Sequence, residues 1–319
     1  MIRKVIVVGA VWSALGAGAM LGFVRLGTIE VLFLLGPLVV VPLGLELSTR
    51  LGHGEENQLA VRVAPWMQLP AALCVVASFF FPQGAAAASL ALPWFCFGCL
   101  LGFRGLMSFI RGGFKSLKAV CVTMSLSYLP IGCAWLVASR YGLNPMGFQE
   151  PIVLLTAVHF HFAGFAAPLL TRAAAAALGK TAVHTQRLFR AIAVGILAGP
   201  GLLAAGFVIG PRLKLAAALL LVASEIGLAS FFLAALKAMR PRLAQVLVAL
   251  SAASVLFAMV FAGVWAIGEF PLQPFVHLAQ MAKFHGTANA FGFTVCGLLG
   301  WTISIHGVAY RAVSKFERQ

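Results

Sequence analysis

Two histidines, His159 and His161, stand inside A-V-H-F-H-F-A-G-F-A-A-P-L-L, residues 157–170, an otherwise apolar run long enough to cross a membrane. Ionisable groups buried in lipid are costly and must find partners inside the protein, so they mark either function or a lock between helices. Imidazole nitrogen can ligate a transition metal or haem iron, and it can carry a proton near neutral pH. Residues i and i+2 of a regular helix point about 200° apart, so the pair reaches one ion only if the helix is distorted. Pro168 has no N–H for the Gly164 carbonyl and crowds it, which predicts a kink just after the histidines.

Three further residues share that depth. His285 and Asn289 open the run H-G-T-A-N-A-F-G-F at i,i+4 spacing, on one face with Gly292 and Cys296. Glu225, in A-S-E-I-G, lies about 16 Å into its own span at 1.5 Å per residue, while His159 and His161 lie about 12 and 15 Å into theirs. An isolated carboxylate is expensive there, so Glu225 needs a partner: a histidine of the sixth span, a backbone carbonyl, or Ser127 or Tyr128. The candidate ligand pocket is therefore His159, His161, Glu225, His285 and Asn289, with His159, His161 and His285 as the candidate metal set. A transition metal or haem fits imidazole chemistry, but the i,i+4 pair of an H-E-x-x-H helix is missing. Neutral histidines bonded between helices, a metal or haem site, and proton or solute handling all remain open.

The elements that position these residues follow from composition. Of 319 residues 61% are hydrophobic and 10% charged, against about 25% charged in a soluble domain, so the chain is a polytopic membrane protein. All eight acids are glutamate, which argues against catalytic aspartate pairs, Mg²⁺-phosphate chemistry and calcium loops. The net charge of +15 suits loops lying on anionic lipid at the cytoplasmic face, and nucleic acid is not an expected partner. The six cysteines lie in apolar segments, and the C-x-x-C of Cys96 and Cys99 reads as packing rather than redox chemistry. No nucleotide-binding loop, G-x-S-x-G elbow or zincin helix occurs, and no enzymatic reaction is implied.

Hydropathy predicts ten spans, at about 5–24, 29–47, 64–81, 85–103, 119–139, 151–171, 190–210, 214–236, 243–267 and 285–307. With the N-terminus inside, 18 of the 23 basic residues fall on the cytoplasmic side, which places both termini there. Glu46 is expected to pair with Arg104 or Arg111 at a helix end. Residues 268–284 read as an outside connection, interfacial or re-entrant, with His277 at its edge. Gly199-Pro200-Gly201 predicts a break in the seventh span that either serves close packing or moves in transport. No repeat is evident between the first five spans and the second five.

Two pieces, H-F-H-F-A-G-F-A-A-P-L at 159–169 and H-G-T-A-N-A-F-G-F-T-V-C-G-L-L-G-W at 285–301, resemble the YndJ-like family of bacterial integral membrane proteins. The resemblance lies in the second half of the chain. It supports the membrane reading and the choice of His159, His161, His285 and Asn289, and supplies no reaction. The expectation is thus an all-α transmembrane bundle forming a single integral membrane domain over 1–319, in a bacterial inner membrane. Its polar pocket would bind a metal, haem or small polar ligand. The rivals are a small-solute or proton-coupled transporter using Glu225, and a structural or assembly protein.

Overall fold

A computed structural model of the protein describes residues 2–51, 58–112, 116–178, 182–269 and 276–305. The described residues form ten helices and no strand: α1 (Ile2–Met20), α2 (Thr28–Arg50), α3 (Gln58–Ser78), α4 (Ala85–Gly112), α5 (Leu117–Tyr141), α6 (Ile152–Ala177), α7 (Val183–Ile209), α8 (Pro211–Ala235), α9 (Arg242–Glu269) and α10 (Leu278–Ile305). Eight of them, α2 and α4 to α10, are long and apolar enough to cross a membrane, and α3 carries a shorter apolar stretch, Trp66–Ser78. A helix can do this in lipid because every backbone N–H and C=O is then bonded within its own segment. Local chemistry sets the ends: the Ser116 hydroxyl accepts from Ala119 N–H at 3.2 Å to start α5. Gly142, at φ 84°, ends it in the left-handed region that glycine tolerates.

Several sequence expectations change. α10 begins at Leu278, so Leu278–Phe284 are its first turns and not part of the preceding connection; residues 270–275 lie outside the described residues. The start of α10 is capped: the Gln280 side chain accepts from the His277 N–H at 2.9 Å. α7 runs unbroken through Pro200. Its glycines serve packing instead: a Cβ on Gly195 would come within 3.1 Å of Ser224 Cβ, and one on Gly199 within 3.2 Å of Leu221 Cδ1, both on α8. Glu46 pairs with Arg50, one turn along its own helix, at 2.5 Å. Cys96 and Cys99 lie on the exposed surface of α4, not in its packed face.

The irregularity in these helices lies elsewhere. Gly36–Val40 in α2, Phe160–Ala166 in α6, and Met281–Gly286 with Ala288–Cys296 in α10 are π-helical, with backbone bonds reaching five residues back. Pro42 and Pro168 each stand second in the α-helical segment that follows. There the π stretch absorbs the bond that proline cannot make, so the kink expected at Pro168 takes the form of a widened helix. One stretch in each of the three helices carries a carbonyl met by a side chain from a neighbouring helix: Gln68 Nε2 donates to Pro37 O at 2.9 Å, Ser125 Oγ to Phe165 O at 2.7 Å, and Ser251 Oγ to Phe293 O at 2.7 Å.

Contacts divide the chain into two compact units, 1–42 with 54–166 and 43–53 with 167–319. The passage from one to the other falls at the ends of the π stretches of α2 and α6. A four-helix repeat underlies this arrangement. The starts of α3 to α6, at Gln58, Ala85, Leu117 and Ile152, recur as Val183, Pro211, Arg242 and Leu278, 125 or 126 residues later. The contacts recur as well. Ser125 and Ser251, 126 apart, bond the carbonyls of Phe165 and Phe293. Gly164 packs on Tyr128, where a Cβ would approach to 2.8 Å, and Gly292 packs on Ser254, again 126 residues on. The sequence reading compared five spans with five; the unit is four, after two leading helices. The longer π stretch of α10 shifts the register by two residues, from 126 at the serines to 128 at the Gly-Phe pairs.

In lipid, close packing replaces the hydrophobic effect as the force between helices. Gly164→Leu and Gly292→Leu are expected to lower the thermal midpoint of detergent-solubilised protein markedly, overpacking costing about 1–3 kcal/mol. Gly263→Ala, whose Cβ would meet Val222 only at 4.0 Å, should leave it unchanged.

Candidate functional site

The π stretch of α6 turns its two histidines to different surroundings. His159 is exposed on the helix surface, and its Nδ1 donates to the Leu155 carbonyl of its own helix at 2.8 Å. His161 is wholly buried, 0% exposed. Its Nδ1 lies 2.8 Å from the Ala157 carbonyl and its Nε2 lies 3.0 Å from Trp94 Nε1. A carbonyl only accepts and an indole N–H only donates, so His161 is neutral with its proton on Nδ1. Both ring nitrogens are used. Phe33 meets the ring edge-on at a centroid distance of 5.2 Å, and the Trp94 ring stacks on it at 6.1 Å. A Cβ on Gly132 would stand 2.8 Å from Nδ1, so only glycine leaves room for the imidazole. In this arrangement His161 ties α6 to α4, and its nitrogens are not presented to a ligand.

Glu225, His285 and Asn289 all belong to the second unit. Glu225 is 5% exposed, and its Oε2 has no hydrogen-bond partner among the described residues. The partner expected from α6 is not made, since His161 is saturated by Ala157 and Trp94. An unmet buried polar atom costs about 1–3 kcal/mol, so such a group persists where something outside the fold uses it or where function requires it.

The direction of Glu225 follows from α8 itself. Glu225 precedes Phe232 by seven residues, which returns the helix to within about 20° of the same face. Phe232 meets Phe293 and Trp301 of α10, at ring centroid distances of 6.2 and 5.5 Å. Glu225 therefore lies on the face of α8 that carries Phe232, about 10 Å nearer the N-terminal end of α8.

At that end α10 presents a fixed polar pair. His285 Nδ1 lies 2.9 Å from the Ala258 carbonyl, and its Nε2 lies 3.1 Å from Asn289 Nδ2. The same donor–acceptor logic places the His285 proton on Nδ1, with Asn289 donating to Nε2. The Asn289 Oδ1 is then the end of the pair turned away from the imidazole. Among the described residues, no three His, Cys, Asp or Glu side chains form a group that could hold a metal ion.

Sequence reasoning missed Trp94, Ser125 and Ser251, which hold the π stretches and His161 in place. A self-comparison at a shift of 126 would have found the serines, through S-x-x-Y at 125–128 and S-x-x-S at 251–254. Trp94 gave no signal beyond being aromatic. Trp94→Phe is expected to leave His161 Nε2 unmet and destabilise the protein by about 1–3 kcal/mol, read as a lower thermal midpoint. The same change at Trp66, which is 78% exposed, should be near neutral.

A profile of the YndJ-like proteins matches residues 31–293. The chain is also 28% identical over 254 residues to "Uncharacterized membrane protein YndJ" of Bacillus subtilis (strain 168). That alignment covers 77% of this chain and 45% of the relative, so the chain spans less than half of the relative's length. No solved structure matches. The piece at 159–169 lies within the matched range, and the piece at 285–301 and the second repeat lie within it up to Phe293. With its all-helical, multi-pass architecture, the chain belongs to the YndJ-like family of membrane proteins.

Proposed function

We propose that this chain binds a small polar solute or a proton within the membrane and passes it by a proton-coupled transport step, at a site in its second repeat. Glu225 is the acid–base group. His285 and Asn289 form the facing wall. His161 and His159 belong to the first repeat, where His161 acts as a helix lock. The protein resides in a bacterial inner membrane as one integral membrane domain, with both termini cytoplasmic and its basic loops on anionic lipid.

One observation carries this reading: the Oε2 of Glu225, buried and without a hydrogen-bond partner among the described residues. π stretches recur at functional sites because they release backbone groups and re-aim side chains. Metal or haem binding is less well supported, because both His161 nitrogens have protein partners and no third ligand joins His285.

The test is reaction of the purified protein in liposomes with a membrane-permeant carbodiimide, followed by peptide mass mapping. Glu225 should be modified, and proton uptake driven by a potassium diffusion potential should fall toward that of empty liposomes both after modification and in Glu225→Gln. An unmodified Glu225, with equal proton uptake in wild type and Glu225→Gln, would overturn the proposal.

A further inference from the structure

The end of the second unit at which α7 begins, α8 ends and α9 begins carries charge of one sign. Phe189 of α7 meets Phe231 of α8 at a ring centroid distance of 4.9 Å, which sets the start of α7 level with the end of α8. Arg187, Arg190, Lys237, Arg240 and Arg242 therefore stand at one end, all exposed. No acidic residue occurs in 183–190 or 231–250, the stretches that form it. None of the five bases is in an ion pair among the described residues.

The connection from α8 to α9 is held by side chains. Gln245 Nε2 donates to the carbonyls of Leu236 at 3.1 Å and Met239 at 3.0 Å, and Arg240 Nη1 donates to Met239 O at 2.7 Å. These bonds meet carbonyls left open where the helix ends. Beside them lies an open groove of about 350 Å³, lined by Leu236, Lys237, Gln245, Val246 and Ala249. The amide nitrogen of Gln245 is spent on the backbone, so the groove combines one cation with a largely apolar wall.

That wall continues along α9. Leu243, Val246, Leu250 and Phe257 recur at steps of three, four and seven residues, so they share a face, and each is about half exposed. The stripe is about 20 Å long, enough to cross the hydrocarbon of one leaflet, about 15 Å.

We propose that this groove is a specific site for an anionic glycerophospholipid, its phosphate at Lys237 and one acyl chain lying along Val246, Ala249 and Leu250. This rests on the reading that the basic loops lie on anionic lipid and adds one bound molecule to it; Glu225 takes no part. A zwitterionic lipid would bring its own cation against the five bases, and a soluble phosphate would make no use of the apolar wall.

The experiment is native mass spectrometry of the purified full chain in detergent, offered equal amounts of phosphatidylglycerol and phosphatidylcholine with the same acyl chains. We expect one lipid to be retained most strongly, with phosphatidylglycerol preferred. Lys237→Gln should lower that preference about fivefold, the effect of one base near an anionic headgroup. Lys118→Gln, an equal loss of charge at the exposed start of α5, should leave it unchanged. Phosphatidylglycerol carrying a diazirine on its acyl chain should label peptides within 236–250, and excess glycerol phosphate should not displace the lipid. Equal preferences in Lys237→Gln and Lys118→Gln, label spread evenly over other spans, or displacement by glycerol phosphate would overturn the inference and leave the general attraction to anionic lipid standing. No preference for phosphatidylglycerol in the wild type would overturn both.

Discussion

A backbone carbonyl released from its helical bond in the middle of a lipid-embedded helix has to be met by something, and water is not there to do it. Three helices of this protein release such groups by widening into π turns. In each, a side chain on a neighbouring helix supplies the missing donor: Gln68 for Pro37, Ser125 for Phe165 and Ser251 for Phe293. These bonds fix which helices are neighbours and at what rotation. Glycine at 164 and 292 lets the paired backbones come close enough for the serines to reach. A widened helix would be a defect if it stood alone; with its serine it becomes a joint of defined geometry. Placing His161, His285 and Asn289 in or beside such joints gives them orientations that a regular helix would not.

The duplication explains why one set of polar residues is closed and the other open. Both repeats carry the same serine and Gly-Phe joint, and both carry a histidine at the start of it, His159 and His285, 126 residues apart. In the first repeat a two-residue step further along, His161 has Trp94 as its donor, and the leading helix α2 lays Phe33 against its ring. Every polar atom of that imidazole is satisfied, which makes it a specific and rigid contact. In the second repeat the carboxyl of Glu225 is buried with its Oε2 unpartnered among the described residues. Buried unsatisfied groups are where binding energy can be gained.

Much of the architecture was legible from residues alone. Spans of about 20 apolar residues and the placement of charged loops identified the helices, because lipid imposes that length. The polar candidates were also visible, since His159, His161, Glu225, His285 and Asn289 are conspicuous in apolar runs. Their partners were not. Whether a buried histidine serves as lock or ligand depends on a single indole 67 residues away, and hydropathy says nothing about which helix carries it. The π stretches were hidden because one extra residue per turn leaves composition unchanged. Gly199-Pro200-Gly201 drew attention as a break, yet the helix is unbroken and Gly199 is a spacer against Leu221 of α8. The repeat escaped because the two-residue offset in α10 and the two leading helices put the halves out of step.

The central claim is that the second repeat holds a ligand against Glu225. A density map of the protein in lipid nanodiscs tests this directly. The account requires a compact non-protein feature within hydrogen-bond distance of Glu225 Oε2. A Glu225 carboxyl bonded to a serine or backbone carbonyl of its own bundle, with no space beside it, would contradict the account.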